Sequence, residues 1–104
     1  MAGDFHEVAT MAELPLGAAR RIEIQGLTIA LVHCEAGVFA VDDGCTHAEA
    51  SLCDGLLDGC ELECPLHAAR FDVRNGHVTA PPAFEDLQTY PVRVRDDGAV
   101  EIFF

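Results

Sequence analysis

Lysine is absent from this 104-residue chain: all six basic residues are arginine, against 18 acidic ones, for a formal net charge of −12. That shortage of positive charge argues against binding nucleic acid or an anionic membrane surface, and favours partners that carry basic patches. Also missing is any apolar run near eighteen residues, so no transmembrane helix is expected. The start, Met1-Ala2-Gly3-Asp4-Phe5-His6-Glu7, has neither a basic region nor an apolar stretch. It is not a secretory signal, and a cytoplasmic location follows as the default expectation. No segment sustains a helical period, and no repeat, linker or low-complexity tract interrupts the chain. What remains is one expected domain, residues 1–104, near the commonest domain size. Half of its residues are hydrophobic, enough for a modest core that gains from a cross-link.

The apolar residues that are present fall into short alternating runs. Residues 4–8 alternate as a short strand, and Met11 to Leu14 reads as one helical turn stopped by Pro15. Arg21 to Gln25 alternates polar and apolar, Gly26 turns, and Leu27 to Cys34 continues as a β-branched run. Ala36-Gly37 turns again into Val38 to Val41, giving two successive hairpins. Asp58-Gly59 predicts a type I′ turn between Leu56-Leu57 and Cys60 to Glu63, and Asn75-Gly76 predicts one between residues 71–74 and 77–79. Ala80 to Asp86, with Pro81-Pro82, reads as an irregular cover. Residues 90–95 and 99–104 close the chain as a last hairpin around Asp96-Asp97-Gly98. The expected class is all-β and antiparallel.

These strands frame Cys45-Thr46-His47 and, sixteen residues later, Cys64-Pro65-Leu66-His67. Each half offers one thiolate and one imidazole at short spacing, so each can close on a metal as a loop. Zinc fingers usually pair Cys with Cys and His with His. Here both loops mix the two, C-x-H and C-x2-H. That suits a two-iron cluster whose cysteines hold one iron and whose histidines hold the other. Structural zinc, or an accidental grouping of core cysteines and exposed histidines, stands as the alternative reading of the same four residues.

The C-T-H and C-P-x-H loops, with Pro65 in place, resemble the Rieske family. The resemblance implies stacked antiparallel sheets with the cluster-binding loops at one tip, in a segment of about residues 42–72. It implies one [2Fe-2S] cluster held by Cys45, His47, Cys64 and His67, with the histidines facing solvent. Exchanging two thiolates for neutral ligands raises the potential into a range of about −150 to +300 mV. High-potential relatives join their two loops by a disulfide, but Leu66 and Ala48-Glu49-Ala50 occupy those positions here. Such relatives also place Ser and Tyr hydroxyls after the second loop, whereas residues 67–71 read His-Ala-Ala-Arg-Phe. Fewer hydrogen bonds to sulfur, with Asp42, Asp43, Glu49 and Asp54 nearby, predict a potential at the low end.

Three cysteines remain after that assignment. Cys34 reads as a buried thiol at a strand end, and Cys53 and Cys60 flank a turn close enough to approach each other. All three are expected to be free in a reducing compartment. His6, His33 and His77 have no ligand-spaced partner and read as packing or surface residues. Phe71 and Phe84 read as core, and Arg70 and Arg74 as solvated. No substrate acid, base or nucleophile pattern stands out, and the chain has no room for the larger catalytic domain of an oxygenase. The resemblance therefore implies an electron carrier rather than an enzyme. It would be a monomeric ferredoxin passing electrons from a flavin-containing, NAD(P)H-dependent reductase to a terminal ring-hydroxylating oxygenase, with no nucleic-acid or membrane partner. The small subunit of a nitrite reductase and a zinc-stabilised binding module are the other readings.

Overall fold

The computed structural model describes residues 3–46 and 49–104. Its eleven strands are β1 (Phe5–Thr10), β2 (Ala19–Ile24), β3 (Leu27–Cys34), β4 (Gly37–Asp42), β5 (Leu56–Asp58), β6 (Glu61–Glu63), β7 (Arg70–Asp72), β8 (Val78–Ala80), β9 (Thr89–Tyr90), β10 (Val92–Val94) and β11 (Ala99–Phe103). Short 3-10 turns follow β1 and precede β5, and no α-helix occurs among the described residues. Every described strand pairing is antiparallel. Among the described residues no helix is long and apolar enough to cross a membrane.

Three sheets result, ordered β1-β11-β10, β2-β3-β4-β9 and β5-β6-β7-β8. Strand β3 shows how they stack. Ile29 to Val32 are all fully buried, but successive side chains of a strand point to opposite faces. Ile29 and Leu31 pack with Val100 and Ile102 of β11. Ala30, Val32 and Cys34 pack with Leu62, Phe71 and Val73 of the β5–β8 region. The sheet containing β3 is thus the middle layer, apolar on both faces. Each of its large side chains contributes about 1.5–3 kcal/mol by burial, so a charge at Ile29 or Leu31 would split the molecule between layers.

The turns fall near their sequence signals, with shifts: Cys34 pairs with Gly37, so Glu35-Ala36 and not Ala36-Gly37 makes the β3–β4 turn, and Phe71 pairs with Val78, so Asn75-Gly76 lies in a longer loop where Gly76 alone of the two has positive φ. Gln25 and Gly26 both have positive φ, 49° and 80°, the type I′ pattern between β2 and β3. In the β5–β6 hairpin Asp58 pairs with Glu61, so the turn residues are Gly59 and Cys60, one later than predicted. Positive φ falls on Gly59 alone of the pair, at 60°, which is the II′ pattern. The last hairpin also differs. Pro91 has no N–H to give a sheet ladder, and the chain changes sheets there. Tyr90 pairs with Ala40 of the middle sheet, and Val92 pairs with Ile102 of the outer one.

Candidate functional site

The first ligand loop leaves β4 through Asp43, a buried carboxylate. Its Oδ2 accepts the Ser51 hydroxyl at 2.5 Å and its Oδ1 accepts the Cys53 N–H at 3.0 Å. Backbone bonds close the same loop: Cys45 N–H to Ala50 O at 3.0 Å, and Leu52 N–H to Asp43 O at 2.8 Å. The Thr46 hydroxyl donates to Glu85 O at 2.8 Å, which fastens the loop to the segment after β8. That segment does act as a cover, because its Ala83 and Leu87 enter the core. Phe84 does not. It is 85 % exposed, against the expectation of a core residue, since its two apolar neighbours in the core take the inward positions.

The second loop leaves β6 at Cys64, whose N–H bonds Ala69 O at 2.7 Å. His67 and Ala68 carry the chain around with left-handed backbone, φ 67° and 61°. That conformation costs a non-glycine residue about 1–2 kcal/mol and is tolerated where surrounding structure fixes it. The loop rests on Gly55. A Cβ there would stand 1.8 Å from the Glu63 carbonyl oxygen, just before Cys64.

Cys45 and Cys64 come together: they are 8 % and 1 % exposed, and their thiols are in hydrogen-bond contact. Burial pushes the Cys64 thiol up from its ordinary value, the Leu66 N–H directed at it pulls the other way, and Cys45 beside it raises it again. His67 lies on the surface of its loop. His47 falls outside the described residues. Among the described residues no three His, Cys, Asp or Glu side chains converge on one point. A two-iron centre takes its protein ligands in separate pairs. Paired buried thiols with a backbone N–H aimed at sulfur therefore fit the donor chemistry of such a cluster.

The charged residues around the site are more engaged than expected. Asp58 and Glu61 stand directly opposite in register, a repulsive cross-strand pair, and Arg70 bridges them. Its guanidinium reaches Asp58 at 3.1 Å, Glu61 at 3.2 Å and Glu63 at 2.9 Å. Arg74 bonds Asp72 at 2.7 Å and, through that hydrogen bond foremost, holds the Asp72 carboxyl below the usual range. Neither arginine is simply solvated: pairing of β5, β6 and β7 brings Asp58, Glu61 and Glu63 to Arg70, and Arg74 folds back onto Asp72 two residues before it. Burial, then the hydrogen bond to Asp43, pushes the Cys53 thiol well up. The three remaining histidines are bland: His33 bonds Leu14 O at 2.9 Å, His6 stacks on Phe104, and His77 pairs with Asp86 at the surface.

One expectation about the cysteines fails. Cys34 and Cys60 are not free thiols; they form a disulfide, their Cα atoms 5.3 Å apart. The stacking of β3 under the β5–β6 turn makes the pair, and strand periodicity does not reveal which turn lies over which strand. Gly55 and Ser51 were missed as parts of the site, and Asp43 was read only as an acidic neighbour, not as the carboxylate that closes the first loop.

Comparison with known proteins agrees with this geometry. The family model of the Rieske [2Fe-2S] domain matches residues 4–91. The chain is 48 % identical over 90 residues to the 3-phenylpropionate/cinnamic acid dioxygenase ferredoxin subunit of Photorhabdus laumondii, covering 86 % of this chain and 85 % of that one. It is 38 % identical over 96 residues to the ferredoxin component of naphthalene 1,2-dioxygenase/salicylate 5-hydroxylase systems of a Ralstonia species, covering 92 % of each. Among solved structures it is similar to the ferredoxin in a complex of reduced oxygenase and oxidized ferredoxin in carbazole 1,9a-dioxygenase. There the TM-score is 0.89 at 31 % identity, over 94 % of this chain and 91 % of the other.

Proposed function

Because the chain belongs to the Rieske [2Fe-2S] domain family, we propose that it is the one-electron carrier of an aromatic-ring dioxygenase system. It holds one [2Fe-2S] cluster and is an electron-transfer component, not an enzyme in its own right. The cluster supplies a one-electron couple when bound. The terminal oxygenase receives the electrons, and an NAD(P)H-dependent flavin reductase supplies them. The protein works as a monomer in the cytoplasm, as a single domain whose cluster-binding segment is about residues 42–72.

The observation that carries this reading is the buried contact of Cys45 with Cys64 in loops whose other ligand-type residue, His67, is exposed. Cys45 and Cys64 would hold one iron as thiolates. His47 and His67 would hold the other as neutral imidazoles. Asp43 and Gly55 keep the two loops at fixed separation. The half-exposed Leu66 and the exposed Phe84 stand on the two segments flanking the ligands, as apolar contact points for a partner that must bind and leave quickly.

Iron and acid-labile sulfide analysis tests the reading directly. The purified protein should be red-brown, contain two irons and two sulfides, as the cluster's formula requires, and give a Rieske-type EPR signal on reduction. Cys45→Ser or Cys64→Ser should abolish assembly. A colourless protein with one zinc and an intact fold would overturn it.

A further inference from the structure

The Cys34–Cys60 bond has no part in the function just proposed, yet it sits where that function is most sensitive. Cys34 ends β3 of the middle layer. Cys60 is the second turn residue of the hairpin whose outgoing strand, β6, delivers Cys64. The bond is therefore a covalent tie between the middle layer and the root of the second ligand loop. It also closes a ring of chain, with a sequence separation of 26, and the whole first ligand loop, Cys45 to Ala50, lies inside that ring. No other covalent link joins the two layers apart from the chain itself. A cleft of about 210 Å³, lined by Leu16, Gly17, Cys34, Glu35, Leu57 and Gly59, opens beside the bond. Both residues are buried, Cys34 at 2 % and Cys60 at 8 % exposure, and Cys34 lines the cleft, so the cleft is the approach for a reagent.

We propose that the Cys34–Cys60 pair is a thiol–disulfide exchange site, opened by dithiols, whose state sets how firmly the two ligand loops hold their cluster. This deepens the preceding reading and rests on its ligand assignment. A thiolate of the dithiol attacks one sulfur of the pair and the other leaves as a thiolate. The dithiol's second thiolate then attacks the mixed disulfide and frees the first cysteine. Two electrons and two protons pass to the pair, and the reductant ends as its own disulfide. Glu35 at the cleft makes it unfavourable to anionic thiols, which favours a neutral dithiol or a dithiol protein over an acidic monothiol. Once opened, the hairpin turn is held to β3 by packing alone, and local opening of the ring becomes easier.

The test uses the whole protein isolated without reductant. Peptide mass spectrometry after alkylation in denaturant should find Cys34 and Cys60 blocked, and both open after dithiothreitol. Amide hydrogen exchange in residues 43–64 should speed up after the same treatment, and oxidised dithiothreitol should restore it. Iron transfer to a chelator should become at least about fivefold faster. Cys34→Ala/Cys60→Ala should show the fast behaviour with or without dithiothreitol, which separates opening of the bond from attack on the iron. Thiol state and exchange need no iron in the protein, so they stand apart from any failure of the cluster reading. Cysteines that dithiothreitol does not open, or exchange and iron release alike in both states of the wild type, would overturn the proposal.

Discussion

The α-carbon of Gly55 approaches the Glu63 carbonyl so closely that a methyl group has no room: its carbon would lie 1.8 Å from that oxygen. The backbone of Gly55 is extended, φ −91°, so glycine is required here for space and not for conformation. Gly55→Ala must push β6 away from the 3-10 turn and displace Cys64 with it. We expect a loss of about 2–3 kcal/mol, at the upper end of overpacking costs, and a lower iron content per protein. Denaturant unfolding and iron analysis check both, and an alanine variant with unchanged midpoint and iron would refute the contact.

Asp72 and Arg74 predict a pH dependence. The Asp72 carboxyl is held below its ordinary value chiefly by the Arg74 hydrogen bond, so the folded state binds its proton more weakly than the unfolded chain does. The resulting stability is fully present above the unfolded value of about 3.9 and is lost as pH falls through the lower folded value. Arg74→Ala should melt below wild type at pH 7, and the gap should narrow below about pH 4. A gap that stays constant down to pH 2 would assign the effect to packing of the arginine stem.

The reduction potential should lie near the low end of the family range, about −150 mV. Phe71, fully buried in the core that also holds Cys64, is the place to add a hydroxyl. Phe71→Tyr should raise the potential if the phenol meets a sulfur. It should also lower stability by about 1–3 kcal/mol where that hydroxyl finds no partner. Protein-film voltammetry and thermal melts read the two effects separately, and a wild-type midpoint well above 0 mV would contradict the argument.

Electron transfer to the acidic carrier should depend on salt. Glu49 is exposed beside the first loop, and Glu49→Gln should slow reduction by the reductase more at low salt than at high. Screening shortens from about 10 Å at 0.1 M to about 3 Å at 1 M, so the difference should fade over that interval. Stopped-flow rates indifferent to both salt and the substitution would leave docking to Leu66 and Phe84.

Much of this was readable from the chain because its signals are local. The alternation in Arg21 to Gln25, the Gly26 turn and each of the C-T-H and C-P-x-H patterns that carried the family resemblance act over a few residues. What stayed hidden depends on layers meeting. The Cys34–Cys60 bond needs β3 beneath a particular turn, and the grip of Arg70 on Asp58, Glu61 and Glu63 needs three strands side by side. Phe84 misled for the opposite reason: an aromatic beside prolines carries no periodicity to say which way it faces. The slip from Asp58-Gly59 to Gly59-Cys60 shows how one residue of register escapes a turn signal, since both dipeptides favour tight turns.

The sheet order β1-β11-β10 carries a consequence for how the protein is made. Among the described residues strand β1 pairs with β11 alone, with Phe5 opposite Phe103, far along the chain in order of synthesis. At about 5–20 residues per second, β1 waits on the order of ten seconds on the ribosome with both edges unpaired. The β5–β8 sheet, contiguous in sequence, has no such delay. In the growing chain all four strands of the β5–β8 sheet are therefore made before the strand that pairs with β1.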